Sequence, residues 1–308
     1  MYDIIIVGAG PAGLTAALYA LRANKKILVL EAKSYGGQII KASKIENYPG
    51  IEKISGFDFA TSLYNQVKSF GGEIKYETVL RIEEDKTVVT AKNKYSAKAV
   101  IIATGSFNRK LNIENEDNLI GKGVSYCATC DGNFFKDRTV AVIGYDEEAI
   151  NDVLYLTDIA KKVYLISTKD IEFGNKEICS DVEVIKCNSI NKLIGENKLE
   201  SIEINVDNEI KIINIDGLFI SVGREPKNNI FKNIVDIDGN GYIISEDGVH
   251  TKTPGVYVAG DTRVKELRQL TTAVADGSIA ATIAIKELNW LYRGGLWLVM
   301  KKLEMQFC

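Results

Sequence analysis

The sequence holds only four prolines and one histidine in 308 residues, and its formal net charge is −3. Without a basic footprint, a nucleic-acid partner is not expected. No apolar run reaches the roughly 18 residues that a membrane span needs, so no membrane partner is expected either. The start, Met1-Tyr2-Asp3-Ile4-Ile5-Ile6-Val7, lacks the charged segment of a secretory leader and runs straight into a glycine turn. Five cysteines are too few for a disulfide scaffold in a chain of this length. The expected location is cytoplasmic, where a close cysteine pair is catalytic or metal-binding.

Glycine, by contrast, is plentiful: 26 residues, suited to tight turns beside regular elements. Tyr2–Val7 is an apolar run closed by Gly8 and predicts a buried parallel strand. A helix is predicted over Pro11–Ala23 and a second strand over Lys26–Leu30, which completes a βαβ opening. The pattern recurs with a strand at Thr139–Ile143, a helix over Glu147–Ile159 and a strand at Val163–Ile166. Further strands are predicted at Thr87–Ala91 and Ala99–Ala103. A hairpin joins Ile202–Val206 to Glu209–Ile213 through Asp207-Asn208. The last regular element is an Ala-rich helix over Thr271–Leu288, and 289–308 fits no simple pattern. The class is α/β, with two domains.

The first βαβ unit carries Gly8-Ala9-Gly10-Pro11-Ala12-Gly13 between strand and helix. Gly8 permits the turn, Gly10 lets the backbone approach a pyrophosphate, and Gly13 lets the helix pack close to the sheet. The helix N-terminus, with Ala12, adds N–H groups and positive dipole for the phosphates. Glu31 ends the second strand, where a carboxylate can accept from ribose hydroxyls. This pattern alone does not choose between FAD and NAD.

Cys127-Ala128-Thr129-Cys130-Asp131 is the second chemical feature. Two intervening residues put the sulfurs within disulfide reach, and one thiolate of such a pair attacks at a lowered pKa. Asp131 places a carboxylate where a departing thiolate needs a proton. A zinc half-site would need two more ligands, and Cys179, Cys187, Cys308 and His250 show no paired spacing; no metal is expected. Cys179 and Cys187 read as small buried residues.

In order, the chain also contains Gly36-Gly37-Gln38, Asn47-Tyr48-Pro49-Gly50, Ala103-Thr104-Gly105, Ser125-Tyr126-Cys127, Gly223-Arg224-Glu225-Pro226, Val258-Ala259-Gly260-Asp261 and Arg268-Gln269-Leu270-Thr271-Thr272-Ala273. From Tyr2 to about Leu288 this set resembles the low-molecular-weight thioredoxin reductase family. The resemblance implies two Rossmann-like three-layer domains of the FAD/NAD(P)-linked disulfide reductase type. An FAD domain would be split over 1–111 and 240–308, and 112–239 would be an inserted domain carrying the dithiol and an NADPH-type fold. It implies FAD contacts from the Glu31–Gln38 segment, including Ala32, Gly36 and Gly37, and from Asn47, Val79, Ala103, Thr104 and Gly105. Gly260, Asp261, Arg268, Gln269 and Leu270 complete the implied set. It further implies a homodimer, Cys130 facing the flavin, Cys127 attacking the substrate disulfide, and Asp131 as acid/base.

The inserted domain departs from that family at its nucleotide turn, Gly144-Tyr145-Asp146-Glu147-Glu148-Ala149. Asp146 replaces the central glycine, and three consecutive acids stand at one helix N-terminus. They suit the helix dipole and repel a dianionic ligand. Two like charges about 4 Å apart repel by about 4 kcal/mol at an effective dielectric near 20, before solvent screening. Where the family places His-Arg-Arg and a further Arg for the 2′-phosphate, this chain has Ser167-Thr168-Lys169 and Phe173. Lys169 replaces only part of the bidentate pairing. The chain thus resembles most the ferredoxin-dependent flavin thioredoxin reductases: ferredoxin would reduce FAD, FAD the cysteine pair, and the pair thioredoxin. The competing expectations are an NADPH-dependent reductase with an atypical site, a reductase of another disulfide partner, and a non-catalytic FAD-binding interaction module. For the tail, an element packed on a partner subunit or over the flavin stands against a frayed helix end, and Cys308 reads as incidental.

Overall fold

The computed structural model describes residues 1–42, 44–171, 182–245 and 248–304. Phe173, Cys179 and Cys308 lie outside the described residues. The chain forms two compact units, 1–107 with 225–308, and 108–224.

In the first unit Tyr2–Val7 lies between the parallel strands Ile27–Glu31 and Lys94–Ile102. Glu73–Tyr76 extends the sheet on one side and Val256–Val258 pairs on the other, both parallel. An antiparallel run, Thr87–Thr90 then Val79–Ile82, continues from Lys94–Ile102. Alternate side chains serve opposite cores: Ile4 and Ile6 join Leu14, Ala17 and Ala280, while Ile5 and Val7 join Leu28, Val100 and Phe231. Both faces are covered, which is why the strand reads as an unbroken apolar run and not as an alternation. Helix Pro11–Arg22, with Pro11 at its start, and the stretch 273–288 of helix Leu270–Glu304 cover the first face.

The crossings between the two compact units fall after 107 and before 225, and Phe231, Ile234 and Val235 are buried in the first unit's core. The terminal helix, predicted to stop at Leu288, continues as helical backbone to Glu304.

The second unit has a parallel five-stranded sheet in the order Val182–Lys186, Lys162–Ser167, Thr139–Ile143, Gly217–Ile220, Val124–Ser125. Helix Glu147–Thr157 buries Ile150, Val153 and Leu156 against Val140, Val142 and Leu165 on one face. An antiparallel sheet of Ser189–Ile194, Ser201–Val206 and Glu209–Asn214 packs Leu193, Ile202 and Ile204 with Ile143 and Ile166 on the other. The predicted hairpin is present, and Asp207 and Asn208 adopt φ of 52° and 67°, as a type I′ turn requires. Among the described residues no helix is long and apolar enough to cross a membrane.

Candidate functional site

The first glycine turn is built by close packing. Gly8 has φ of 109°, and a side chain there would overlap the Ala103 carbonyl; one at Gly13 would overlap the Gly8 carbonyl. Gly10 differs: a Cβ there meets nothing nearer than the Gly37 Cα at 3.9 Å. The protein itself therefore tolerates a Cβ at Gly10, and the space above it can accept a ligand. Helix Pro11–Arg22 begins with no side-chain cap and no acid in its first turn, leaving its N–H groups to an anion. Glu31 Oε2 accepts from Ala9 N–H at 2.8 Å and Oε1 from Lys33 N–H at 2.9 Å, which fixes the carboxylate beside the turn.

Of the other predicted residues, Gly36, Gly37, Ala103 and Gly260 pack beside this turn within the first unit. Gly36 N–H donates to the Ala9 carbonyl at 2.8 Å, and Gly37, with Gln38 next to it, opens a short 3-10 helix. Gly260 packs against Ala12 and donates its N–H to Asp276 Oδ2 at 3.0 Å. Asn47 Nδ2 donates to Gln269 Oε1 at 3.2 Å, just before Leu270 starts the terminal helix. The Arg268 guanidinium lies 4.0 Å from the Tyr242 ring centroid. Asp261 lies 3.8 Å from Lys265 Nζ. Ala103 ends beside Gly8, and Gly105 has φ of 69°. Val79 pairs with Thr90, and its side chain is in the core with Leu28 and Leu30.

The residue that ties these loops together is Asn228, which sequence reading missed. Fully buried, it donates to the Gly241 and Thr262 carbonyls at 2.9 and 3.0 Å. It accepts from the Thr104 and Thr262 hydroxyls at 3.2 and 2.7 Å. Four bonds to segments distant in sequence leave no local signal beyond its place just after the Gly223–Pro226 motif. Asp276 is a second such residue, held by both Arg263 (2.9 Å) and Lys265 (2.9 Å) and with its carboxyl shifted below its ordinary value: burial pushes it up and these cations outweigh that.

In the second unit Cys127 and Cys130 form a disulfide with Cα atoms 5.3 Å apart. Cys127 caps the short helix Ala128–Asp131 in an extended conformation and is half-buried; Cys130 is exposed. The Thr129 hydroxyl lies 3.4 Å from Cys127 Sγ. Asp131 is half-buried, and burial raises its pKa above the ordinary carboxylate value while a hydrogen bond from Ser125 opposes the rise. Tyr126, next to Cys127, donates to the buried carboxylate of Glu116, which also accepts from Asn112 N–H at 2.7 Å. Cys187 is buried, as anticipated.

The second glycine turn is close-packed too, since a Cβ at Gly144 would overlap the Ser221 carbonyl and Ala149. At its helix, however, Asp146 is the N-cap, and its Oδ1 accepts from Ala149 N–H at 3.1 Å. Glu147 and Glu148 occupy the first turn, and Glu148 faces Arg224 Nε at 3.8 Å. One turn further on, burial, with the Glu148 carboxylate adding, pushes Asp152 up to about 6. A cleft of about 280 Å³ opens beside Gly144, edged by Arg109, Lys110 and Lys169. Lys169 Nζ sits 4.0 Å from the Tyr145 ring centroid, and Lys110 pairs with Asp117.

A dinucleotide cradle in one unit and a Cys-X-X-Cys disulfide in the other define a dinucleotide-dependent dithiol–disulfide oxidoreductase. The comparisons narrow this: the chain belongs to the pyridine nucleotide-disulphide oxidoreductase family, whose profile matches residues 2–277. It is 40% identical over 304 residues to a thioredoxin reductase of Listeria innocua, across 94% of this chain and 95% of that one. Among solved structures, a thioredoxin reductase from Streptococcus pyogenes matches at 38% identity and TM-score 0.88, covering 94% of this chain and 98% of that one. A ferredoxin-flavin thioredoxin reductase from Clostridium acetobutylicum matches at 29% identity and TM-score 0.51, with 94% and 98% covered. Thioredoxin reductases of this family bind FAD, so FAD is the cofactor, and the open space over Gly10 with an uncapped helix N-terminus fits its pyrophosphate.

Proposed function

We propose that the chain is a thioredoxin reductase whose electrons come from a reduced ferredoxin. Bound FAD supplies a two-electron redox centre. Gly8, Gly10, Ala12 and Gly13 would take its pyrophosphate, Glu31 and Ala32 the ribose. Gly36, Gly37, Gln38, Asn47, Val79, Ala103, Thr104, Gly105, Gly260, Asp261, Arg268, Gln269 and Leu270 would complete its surroundings. Two electrons and two protons convert the Cys127–Cys130 disulfide to a dithiol. The Cys127 thiolate then attacks one sulfur of the thioredoxin disulfide, and the departing sulfur takes a proton from Asp131. Cys130 then attacks Cys127 Sγ, the second thioredoxin sulfur leaves and takes the proton that Cys130 gives up, and the internal disulfide is restored as reduced thioredoxin is released. A carboxyl whose pKa is raised by burial keeps its proton closer to neutral pH, which suits Asp131 to that transfer. The same reading takes the enzyme as a cytoplasmic homodimer.

The observation that carries the donor assignment is the Asp146 carboxylate on Ala149 N–H. The negative charge that a coenzyme phosphate would bring to this helix is already supplied by the chain. A likeness to the ferredoxin-flavin enzyme agrees with it. The second reading, NADPH as donor, is favoured by the cationic edge of the cleft at Arg109, Lys110 and Lys169. Anaerobic mixing tests both: reduced ferredoxin is expected to bleach the flavin band and support thioredoxin reduction, with NADPH at micromolar levels inert. Rapid bleaching by NADPH would transfer the assignment to the second reading.

A further inference from the structure

Ser125 is 6% exposed and sits two residues before the first cysteine. Its hydroxyl donates to Asp131 Oδ2 at 2.6 Å and accepts from the Cys127 backbone N–H at 3.0 Å. The Cys127 carbonyl lies 3.4 Å away from the same oxygen. One hydroxyl thus touches both the backbone of the attacking cysteine and the carboxyl beside the second cysteine.

We infer that Ser125 is a positioning residue that holds the Asp131 carboxyl and the Cys127 backbone together in both protonation states of the carboxyl. A serine hydroxyl has one hydrogen to give and two lone pairs. With Asp131 ionised, the hydrogen goes to Oδ2 and one lone pair takes Cys127 N–H. When Asp131 carries a proton, the acid O–H donates to Ser125, and the serine hydrogen turns to the Cys127 carbonyl. Each state is satisfied without moving a backbone atom. That is the requirement on a carboxyl that gives one proton to a departing sulfur and regains it when the internal disulfide is next reduced. Alanine meets neither state, since it leaves Cys127 N–H without this acceptor and the half-buried carboxylate without this donor. The bond favours the ionised form, against the burial that disfavours it, so losing it moves the titration upward.

The inference rests on the reading of Cys127–Cys130 as the redox dithiol, and its test reads the carboxyl directly. Difference infrared spectroscopy of the flavin-loaded protein would follow the protonated carboxyl against pH in wild type, Ser125→Ala and Ser125→Thr, with Asp131→Asn identifying the band. Ser125→Ala is expected to titrate about one to two pH units higher, the worth of a hydrogen bond to a charged group. Ser125→Thr, which keeps the hydroxyl, should return toward wild type. The single-turnover pH profile for thioredoxin reduction by prereduced protein should shift the same way. An alanine variant of unchanged circular dichroism that titrates with the wild type overturns the inference, as does a threonine variant of unchanged circular dichroism shifted as far as alanine. A wild-type dithiol that leaves thioredoxin oxidised, with the infrared shift present, overturns the functional reading and upholds the role of Ser125.

Discussion

Replacing Asp146 by glycine tests the donor assignment at a single atom pair. The change removes the carboxylate that accepts from Ala149 N–H at 3.1 Å and opens the backbone at the start of helix Glu147–Thr157. Glycine is a tolerable N-cap, so the cost in stability is only about a few tenths of a kcal/mol. The gain in coenzyme binding is larger. Two unit charges about 4 Å apart repel by about 4 kcal/mol at an effective dielectric near 20, and partial exposure of Asp146 brings that to about 1–2 kcal/mol. The variant should therefore bind NADPH about 5- to 30-fold more tightly than wild type. Isothermal titration with NADPH measures the affinity, and anaerobic loss of the flavin band measures whether binding leads to reduction. Equal affinity in the two proteins would refute the electrostatic reasoning, because the carboxylate would then be no obstacle. Ferredoxin-driven turnover, which does not use this turn, should be unchanged.

The two glycines of the first turn separate packing from ligand approach. Gly10→Ala should cost less than about 1 kcal/mol in urea unfolding of the apoprotein yet weaken FAD at least about tenfold, measured by flavin fluorescence. Gly8→Ala, at φ of 109° and against the Ala103 carbonyl, should destabilise the apoprotein itself by about 1–3 kcal/mol. Asp152 provides a pH prediction. Its folded pKa of about 6 lies above the unfolded value of 3.8, so the folded chain holds the proton more tightly. Stability is then greatest, as far as this group contributes, below about pH 4, and declines as pH rises toward 6. Asp152→Asn should flatten that decline and add about 1–3 kcal/mol at neutral pH, read by chemical unfolding across pH 4–8. An unaltered pH profile would show that burial does not strain this carboxyl.

Local chemistry was legible without a structure wherever neighbours in sequence do the work. The Gly8–Gly13 turn, the Cys127–Cys130 disulfide and the Asp207-Asn208 hairpin each depend on a few consecutive residues, and each is found as expected. The apolar runs at Tyr2–Val7 and Thr139–Ile143 announced strands buried on both faces. Even the altered charge at Asp146–Glu148 could be read from spacing alone, since a helix N-terminus carries its electrostatics with it.

Tertiary structure decided what depends on distant segments meeting. The segment from 225 joins the first compact unit because Phe231 and Val235 bury among strand residues more than two hundred positions earlier, which no local pattern announces. Asn228 became a hub only when residues 104, 241 and 262 closed around it. The sequence determined the candidate groups: a glycine turn, a cysteine pair and a neighbouring acid. Folding determined which hydroxyl holds the acid and which carboxylate claims the helix N-terminus, because hydrogen bonds act over about 3 Å and only the packed chain brings their partners that close.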